Sequence, residues 1–302
     1  MRPLMKILLF ASISLSVLSC DEPAKKHADT LIAGSIEIAV DETYKPVIEE
    51  QLRVFDSSYP DAKINISYKP EAECFKDYFD NKVHLILVTR PLTKEEKELC
   101  DQKQIAPSYQ ELARDAIAVI LNKESPDSML GMAELKGILT GVYKKKYTVV
   151  FDNSGSSTVR YITDSLLKGQ KLGTNVFAAK NNNEVVDYVA KNPDAIGFVG
   201  LSYVSDSSDA TNTGAFINKV QVAAIQNDST MQFYKPYQAY IALKTYPLTR
   251  KLYYISRDNY PGLSKGFANF LAGGRGQLIF YHASLFPLQM TVVIRSAEMN
   301  TK

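Results

Sequence analysis

The sequence predicts an α/β protein built as two lobes, and three observations carry that expectation. From about residue 30, short apolar or alternating runs take turns with amphipathic helical runs, the beat of a largely parallel sheet. That beat continues through the rest of the chain with no Pro/Gly/Ser-rich linker, so two lobes sharing one sheet logic fit better than separate domains. Several strand-to-helix corners also carry hydroxyls, a glycine or a cation, and open α/β sheets place their clefts beyond such corners.

Taken in order, Ser35 to Val40 (SIEIAV) is a strand and Pro46 to Phe55 (PVIEEQLRVF) an amphipathic helix. Ala62 to Tyr68 is a strand, Glu71 to Phe79 a helix and Val83 to Val88 (VHLILV) a buried strand. Thr93-Lys94-Glu95-Glu96 opens the next helix with a capping-box pattern. The apolar run Ala116 to Leu121 (AIAVIL) leads into a turn holding Pro126. Met132 to Thr140 (MAELKGILT) is a helix stopped by Gly141. Val149 to Phe151 is a strand, and helices are expected over Gly155 to Lys168 and Asn183 to Lys191. Ala195 to Val199 (AIGFV) is a short strand whose glycine marks close backbone approach. Residues 205–215 read as a loop, Tyr253 to Ser256 as a strand, and Leu263 to Ala272 as a helix closed by Gly273-Gly274.

The start of the chain differs. MRPLMK carries two cations, ILLFASISLSVL is too short to span a bilayer comfortably, and Cys20 follows. Residues 1–19 therefore read as a signal peptide, and Val17-Leu18-Ser19-Cys20 resembles a bacterial lipobox with Cys20 as the lipidated residue. A plain secretory signal with Cys20 free in a loop is the alternative. Residues 20–29 then form a short tether. Without Arg2 and Lys6 the formal charge falls from +2 to about zero, so no global basic field draws in nucleic acid. Cys74 and Cys100 allow a disulfide without demanding one. His27, His84 and His282 are too scattered for a zinc site, and neither metal nor cofactor is expected.

The most informative stretch is FDNSGSSTVRYITDSLLKG, residues 151–169. A helix N-terminus exposes free N–H groups and a partial positive charge, glycine lets a ligand approach the backbone, and hydroxyls add donors. Ser154, Gly155, Ser156 and Ser157 can therefore cradle an oxyanion without a cation. The same residues also read as a simple cap. Neither a nucleotide P-loop nor a G-x-S-x-G nucleophile elbow is present, and His84 and His282 are poorly placed for a Ser-His-Asp triad, so no catalytic residue is assigned. The corner Val40 to Pro46 adds Thr43, and the corner Val88 to Thr93 adds Thr89 and Arg90. Thr43 as a cap and Arg90 as a surface cation remain open readings.

These segments, in this order, resemble a known family: SIEIAVDETYKPVIEEQLRVF, LILVTRPLTKEE, ARDAIAVILNKESPDSMLGMAELKGILTG, FDNSGSSTVRYI, DAIGFVGLSYV, YPLTRKLYYISRD and GFANFL with SLFP. The family is the phosphate-binding proteins of bacterial ABC transporters, within the type II periplasmic-binding-protein superfamily. The resemblance runs from about Ile32 to Pro287. It implies two α/β lobes closing on an oxyanion, with residues 30–112 plus 246–302 as the first lobe and 113–245 as the second. The chain would cross near Leu112-Ala113 and Lys244 to Tyr246. Thr43 matches a first-lobe donor, and Ser154, Gly155 and Ser156 match the Ser-Gly-Thr donors of the second lobe.

Departures fall on charged positions. The family's Arg ahead of its Asp-Gly-Ser-Gly-Thr segment falls here at Val150 or Phe151. Its Asp after the third strand falls at Thr89-Arg90, and its Gly/Ser-rich loop after the second strand is Lys69-Pro70-Glu71-Ala72. Arg90 is thus the expected charge partner, and Glu71 or Asp41 the replacement acceptor. The implied function is a monomeric, lipid-anchored substrate-binding protein that delivers inorganic phosphate or a related oxyanion to ABC permease subunits in the cell envelope. The alternatives are an envelope sensor or interaction lipoprotein of the same fold and, from the serines, a hydrolase.

Overall fold

The computed structural model describes residues 29–206 and 215–288. The expected signal peptide and Cys20 lie outside the described residues, as does most of the 205–215 loop. The first unit is β1 (Gly34–Asp41), a 3-10 turn (Glu42–Tyr44), α1 (Lys45–Ser58), β2 (Ala62–Lys69), α2 (Glu71–Phe79), β3 (Leu85–Val88) and α3 (Lys94–Gln102). Then come β4 (Ser108–Leu121), β5 (Met129–Leu130), α4 (Met132–Thr140), β6 (Thr148–Phe151), α5 (Ser157–Tyr161), β7 (Val176–Ala178), α6 (Asn182–Lys191) and β8 (Ala195–Gly200). The chain continues through β9 (Gln221–Val222), β10 (Ala224–Gln226), β11 (Phe233–Tyr234) and α7 (Gln238–Ala242). It ends in β12 (Thr249–Ser256), α8 (Leu263–Ala272), α9 (Gly274–His282) and β13 (Phe286–Pro287).

The main sheet follows the order β2-β1-β3-β12-β4-β8-β6-β7. β2, β1 and β3 are parallel, as are β8, β6 and β7, but β12 is antiparallel to both β3 and β4, and β4 is antiparallel to β8. The sheet is therefore mixed where a largely parallel one was expected, because β4 and β12 carry the chain between its two halves in opposite directions. β4 pairs with β12 as far as Ala116 and with β8 from Ile117 onward. The cores separate on the same line. One cluster draws its buried residues from Ala116 to Leu248, while the others use Ile36 to Ala113 and Leu252 to Leu285.

Three elements differ from their sequence signals. β4 begins at Ser108 rather than near Ala116, because its first residues (SYQE) are only partly covered and show no apolar run. The helix expected to run to Lys168 is α-helical only over Ser157–Tyr161 and becomes a π turn over Ile162–Leu166. There Thr163 Oγ1 donates to the carbonyls of Val159 and Arg160, at 3.0 and 2.9 Å, and competes with the regular ladder. Gly273-Gly274, read as an end, caps α8 and starts α9 immediately. By contrast, Gly141 ends α4 at φ 78°, where glycine pays no steric penalty, and Thr93 and Glu96 form the reciprocal capping box.

Candidate functional site

The site is built where β1, β4, β12 and α5 come together. β1 ends on the fully buried Asp41, whose Oδ1 accepts the Thr43 N–H at 3.1 Å and folds the next residues into the 3-10 turn. That turn brings Thr43 Oγ1 to 3.4 Å from Ser157 Oγ, across 114 residues of chain. Ser157 is the first residue of α5; its neighbour Ser156 caps the helix by accepting the Val159 N–H at 3.2 Å. Gly200, at the end of β8, permits the approach. A Cβ there would lie 2.3 Å from Thr43 Cγ2 and 3.3 Å from Arg250 Nη2.

Arg250 supplies the charge. It stands opposite Asp115 in the β12–β4 ladder, and its Nε donates to Asp115 Oδ2 at 2.8 Å. Its Nη1 donates to Ser157 Oγ at 2.9 Å and to Thr158 Oγ1 at 3.3 Å, and Tyr44 lies 5.4 Å beneath the guanidinium. Arg250 Nη2, Asp41 Oδ2 and Asp115 Oδ1 are buried without a protein partner. Burial, then the nearby Glu71, raises the Asp41 carboxyl to about 7, against the pull of Arg250. Burial also pushes Asp115 up while Arg250 draws it back.

A second cluster adjoins the first. Glu71, 2% exposed, begins α2. Its Oε1 accepts the Thr89 N–H at 2.7 Å and the Thr89 hydroxyl at 2.6 Å, and its Oε2 accepts Arg160 Nε at 2.6 Å. Arg160 Nη2 also donates to Thr89 Oγ1 at 2.6 Å, so a residue of α5 is bonded to the corners after β2 and β3. On the other flank, Asn182 at the start of α6 donates to the Glu42 and Asp152 carboxylates, and the Tyr203 hydroxyl donates to Glu42. These bonds hold the two halves of the chain together around Thr43 and Ser157.

The sequence-predicted residues divide accordingly. Thr43 and Ser157 meet at the centre, and Thr89 lies in the adjoining cluster. Ser156 is the helix cap, Gly155 gives its N–H to Asn153 Oδ1 at 2.8 Å, and Ser154 is exposed beside Phe151, Val159 and Leu172. Arg90 is not brought to the centre: its guanidinium makes two bonds to Glu96, at 2.6 and 2.8 Å, and stacks 3.8 Å over Phe75. The cation at the centre is Arg250, which sequence reasoning missed, together with Asp115 and Arg160. Cys74 and Cys100 are free, buried thiols. His84 pairs with Asp258 at 3.0 Å, away from this site.

A helix-mouth hydroxyl bonded to a buried arginine offers donors that an anion can use. Residues 25–275 match the family model of the PBP superfamily domain. The chain belongs to the PBP superfamily. Within that superfamily it is 23% identical over 239 residues to Protein SphX of Synechococcus elongatus, spanning 73% of this chain and 69% of that one. It is also 23% identical over 241 residues to the phosphate-binding protein PstS of Staphylococcus epidermidis, spanning 75% of this chain and 70% of the relative. Among solved structures, a Clostridium perfringens substrate-binding protein with bound phosphate aligns with TM-score 0.72 at 22% identity, over 84% of this chain and 100% of that one. An ABC-type phosphate transport receptor from Vibrio cholerae aligns with TM-score 0.63 at 18% identity, over 84% and 100% of the two chains. The fold is that of the type II periplasmic-binding proteins.

Proposed function

We propose that this chain is the substrate-binding component of an ABC transporter and that its cleft takes inorganic phosphate or a closely related oxyanion. The observation that carries the proposal is the pairing of a buried donor without a protein partner, Arg250 Nη2, with a buried acceptor without one, Asp41 Oδ2, in one cluster with the Thr43 and Ser157 hydroxyls. Hydrogen phosphate needs donors for its charged oxygens and one acceptor for its proton. Arg250, Ser157 and Thr43 serve as the donors and Asp41 as the acceptor. Sulfate brings no proton and, once Asp41 is ionised above its pKa of about 7, would leave two oxygens facing each other, which selects against it. The relative named phosphate-binding protein PstS supports this assignment.

Closure would bring together the lobe that begins at residue 30 and resumes at residue 246 and the lobe between residues 113 and 245, the closed form docking on permease subunits as a monomer. No covalent step is required of any residue. No helix among the described residues is long and apolar enough to cross a membrane. Attachment is assigned to lipid on Cys20 at the cell envelope, and fatty-acid labelling of wild type but not of Cys20→Ser tests it.

The functional proposal is tested by isothermal titration of phosphate into residues 21–302, stripped of carried-over ligand, with sulfate as competitor. Saturable binding at micromolar affinity or tighter that sulfate does not displace is the expected result. Equal displacement by sulfate would remove Asp41 as the discriminating acceptor. Absence of heat with either anion would overturn the proposal in favour of an envelope sensor or interaction protein.

A further inference from the structure

The three donors that hold Glu71 are the donors an oxyanion would use. A backbone N–H and a hydroxyl, both of Thr89, converge on one carboxylate oxygen, and a guanidinium, that of Arg160, on the other. Thr89 stands at the corner after β3, Glu71 at the corner after β2, and Arg160 on α5, the helix that begins with Ser157. The carboxylate they hold is almost completely withdrawn from water and belongs to the chain itself. Burying a carboxylate is costly without donors of this quality, and with Glu71 in place the Arg160 charge is already balanced. An incoming dianion therefore meets a seat whose positive charge is neutralised.

We infer that Glu71 is an internal competitor for the anion seat: its carboxylate occupies the Thr89–Arg160 donors, and phosphate binds by displacing it. This rests on the oxyanion reading of the cleft and adds a specificity-determining residue to it. An anion must offer more to the combined donors of Thr89, Arg160, Ser157 and Arg250 than one carboxylate offers to Thr89 and Arg160. A compact tetrahedral dianion meets that requirement, and a monocarboxylate does not. Glu71 thereby sets both the threshold for binding and the rejection of simple carboxylic acids.

The test compares phosphate titrations of wild type, Glu71→Gln and Glu71→Ala, with acetate as competitor. Phosphate affinity should rise at least tenfold in Glu71→Ala. Acetate should weaken phosphate binding to Glu71→Ala, by taking the vacated donors, while leaving wild type unaffected. If wild type binds phosphate and Glu71→Ala binds it equally or more weakly, Glu71 is a scaffold or a helper of the ligand and only this inference falls. If no form binds phosphate or sulfate, the oxyanion reading falls and takes this inference with it. Should either variant fail to fold, carbon-13 NMR of the wild-type Glu71 carboxyl decides. Its resonance should move to the position of a solvated glutamate on phosphate addition, and an unmoved resonance in the phosphate-bound protein overturns the inference.

Discussion

Arg250 and Asp115 face each other across the β12–β4 ladder, joined at 2.8 Å, with both side chains 2% exposed. A buried pair of this kind orients the guanidinium more than it stabilises the fold. Asp115 fixes Nε, and the rest of the fork is aimed at Ser157 and Thr158. Removing either partner leaves an uncompensated buried charge. Arg250→Met and Asp115→Leu should each cost about 3–5 kcal/mol in chemical denaturation. The double variant should recover most of that stability while failing to bind phosphate. A stable double variant with wild-type affinity would show that the pair serves the fold alone.

The serines of the helix mouth should separate in binding assays. Ser157→Ala removes a hydroxyl bonded to Arg250 and close to Thr43, and should cost about 1–3 kcal/mol of phosphate affinity. Ser154→Ala alters an exposed side chain and should change affinity by less than about 0.5 kcal/mol. Titration of both variants checks the ranking, and a reversed order would put the anion on the other side of the loop.

Gly200→Ala tests the close approach at the centre. Its Cβ would stand 2.3 Å from Thr43 Cγ2, so the β1 corner must shift away from Ser157. Weaker phosphate binding and a lower melting temperature are expected. Gly274→Ala, where an added Cβ meets nothing within 4 Å, is the control and should leave both unchanged.

The pH dependence of stability follows from Asp41. Its folded pKa, about 7, lies above the ordinary 3.8, so the native state holds a proton that the unfolded chain releases earlier. The contribution is complete below about pH 4 and is lost as pH rises toward 7. His84, raised by its bond to Asp258, acts in the same direction above its usual 6.5. Asp41→Asn should flatten the fall in stability between about pH 4 and pH 7, as followed by denaturation across that range. An unchanged slope would mean that Asp41 stays ionised.

Much of the fold was legible because local signals and tertiary demands agree. Glu71 to Phe79 and Met132 to Thr140 carry helical periodicity with clear ends, and the structure keeps both ranges. The site was legible only in part. Ser157 and Thr43 lie on strand-to-helix corners, where local chemistry points to a ligand. Arg250 and Asp115 sit 135 residues apart in strands whose polar ends hide their burial. One signal was available: Arg114 and Asp115 interrupt the apolar run from Leu112 to Leu121, and the one of them that faces the core, Asp115, requires a partner. Arg90, the nearer candidate, is held by Glu96 six residues on, the same glutamate that closes the capping box with Thr93.

The measurement that tests the central claim most directly is a crystal structure of the protein grown with phosphate. The anion should lie within hydrogen-bond reach of Arg250 Nη2, Ser157 Oγ and Thr43 Oγ1, with one oxygen on the Asp41 carboxylate and the Glu71 side chain moved off Thr89. Phosphate bound instead at Arg90 or Ser154, with the Arg250–Asp41 cluster unchanged, would contradict the account.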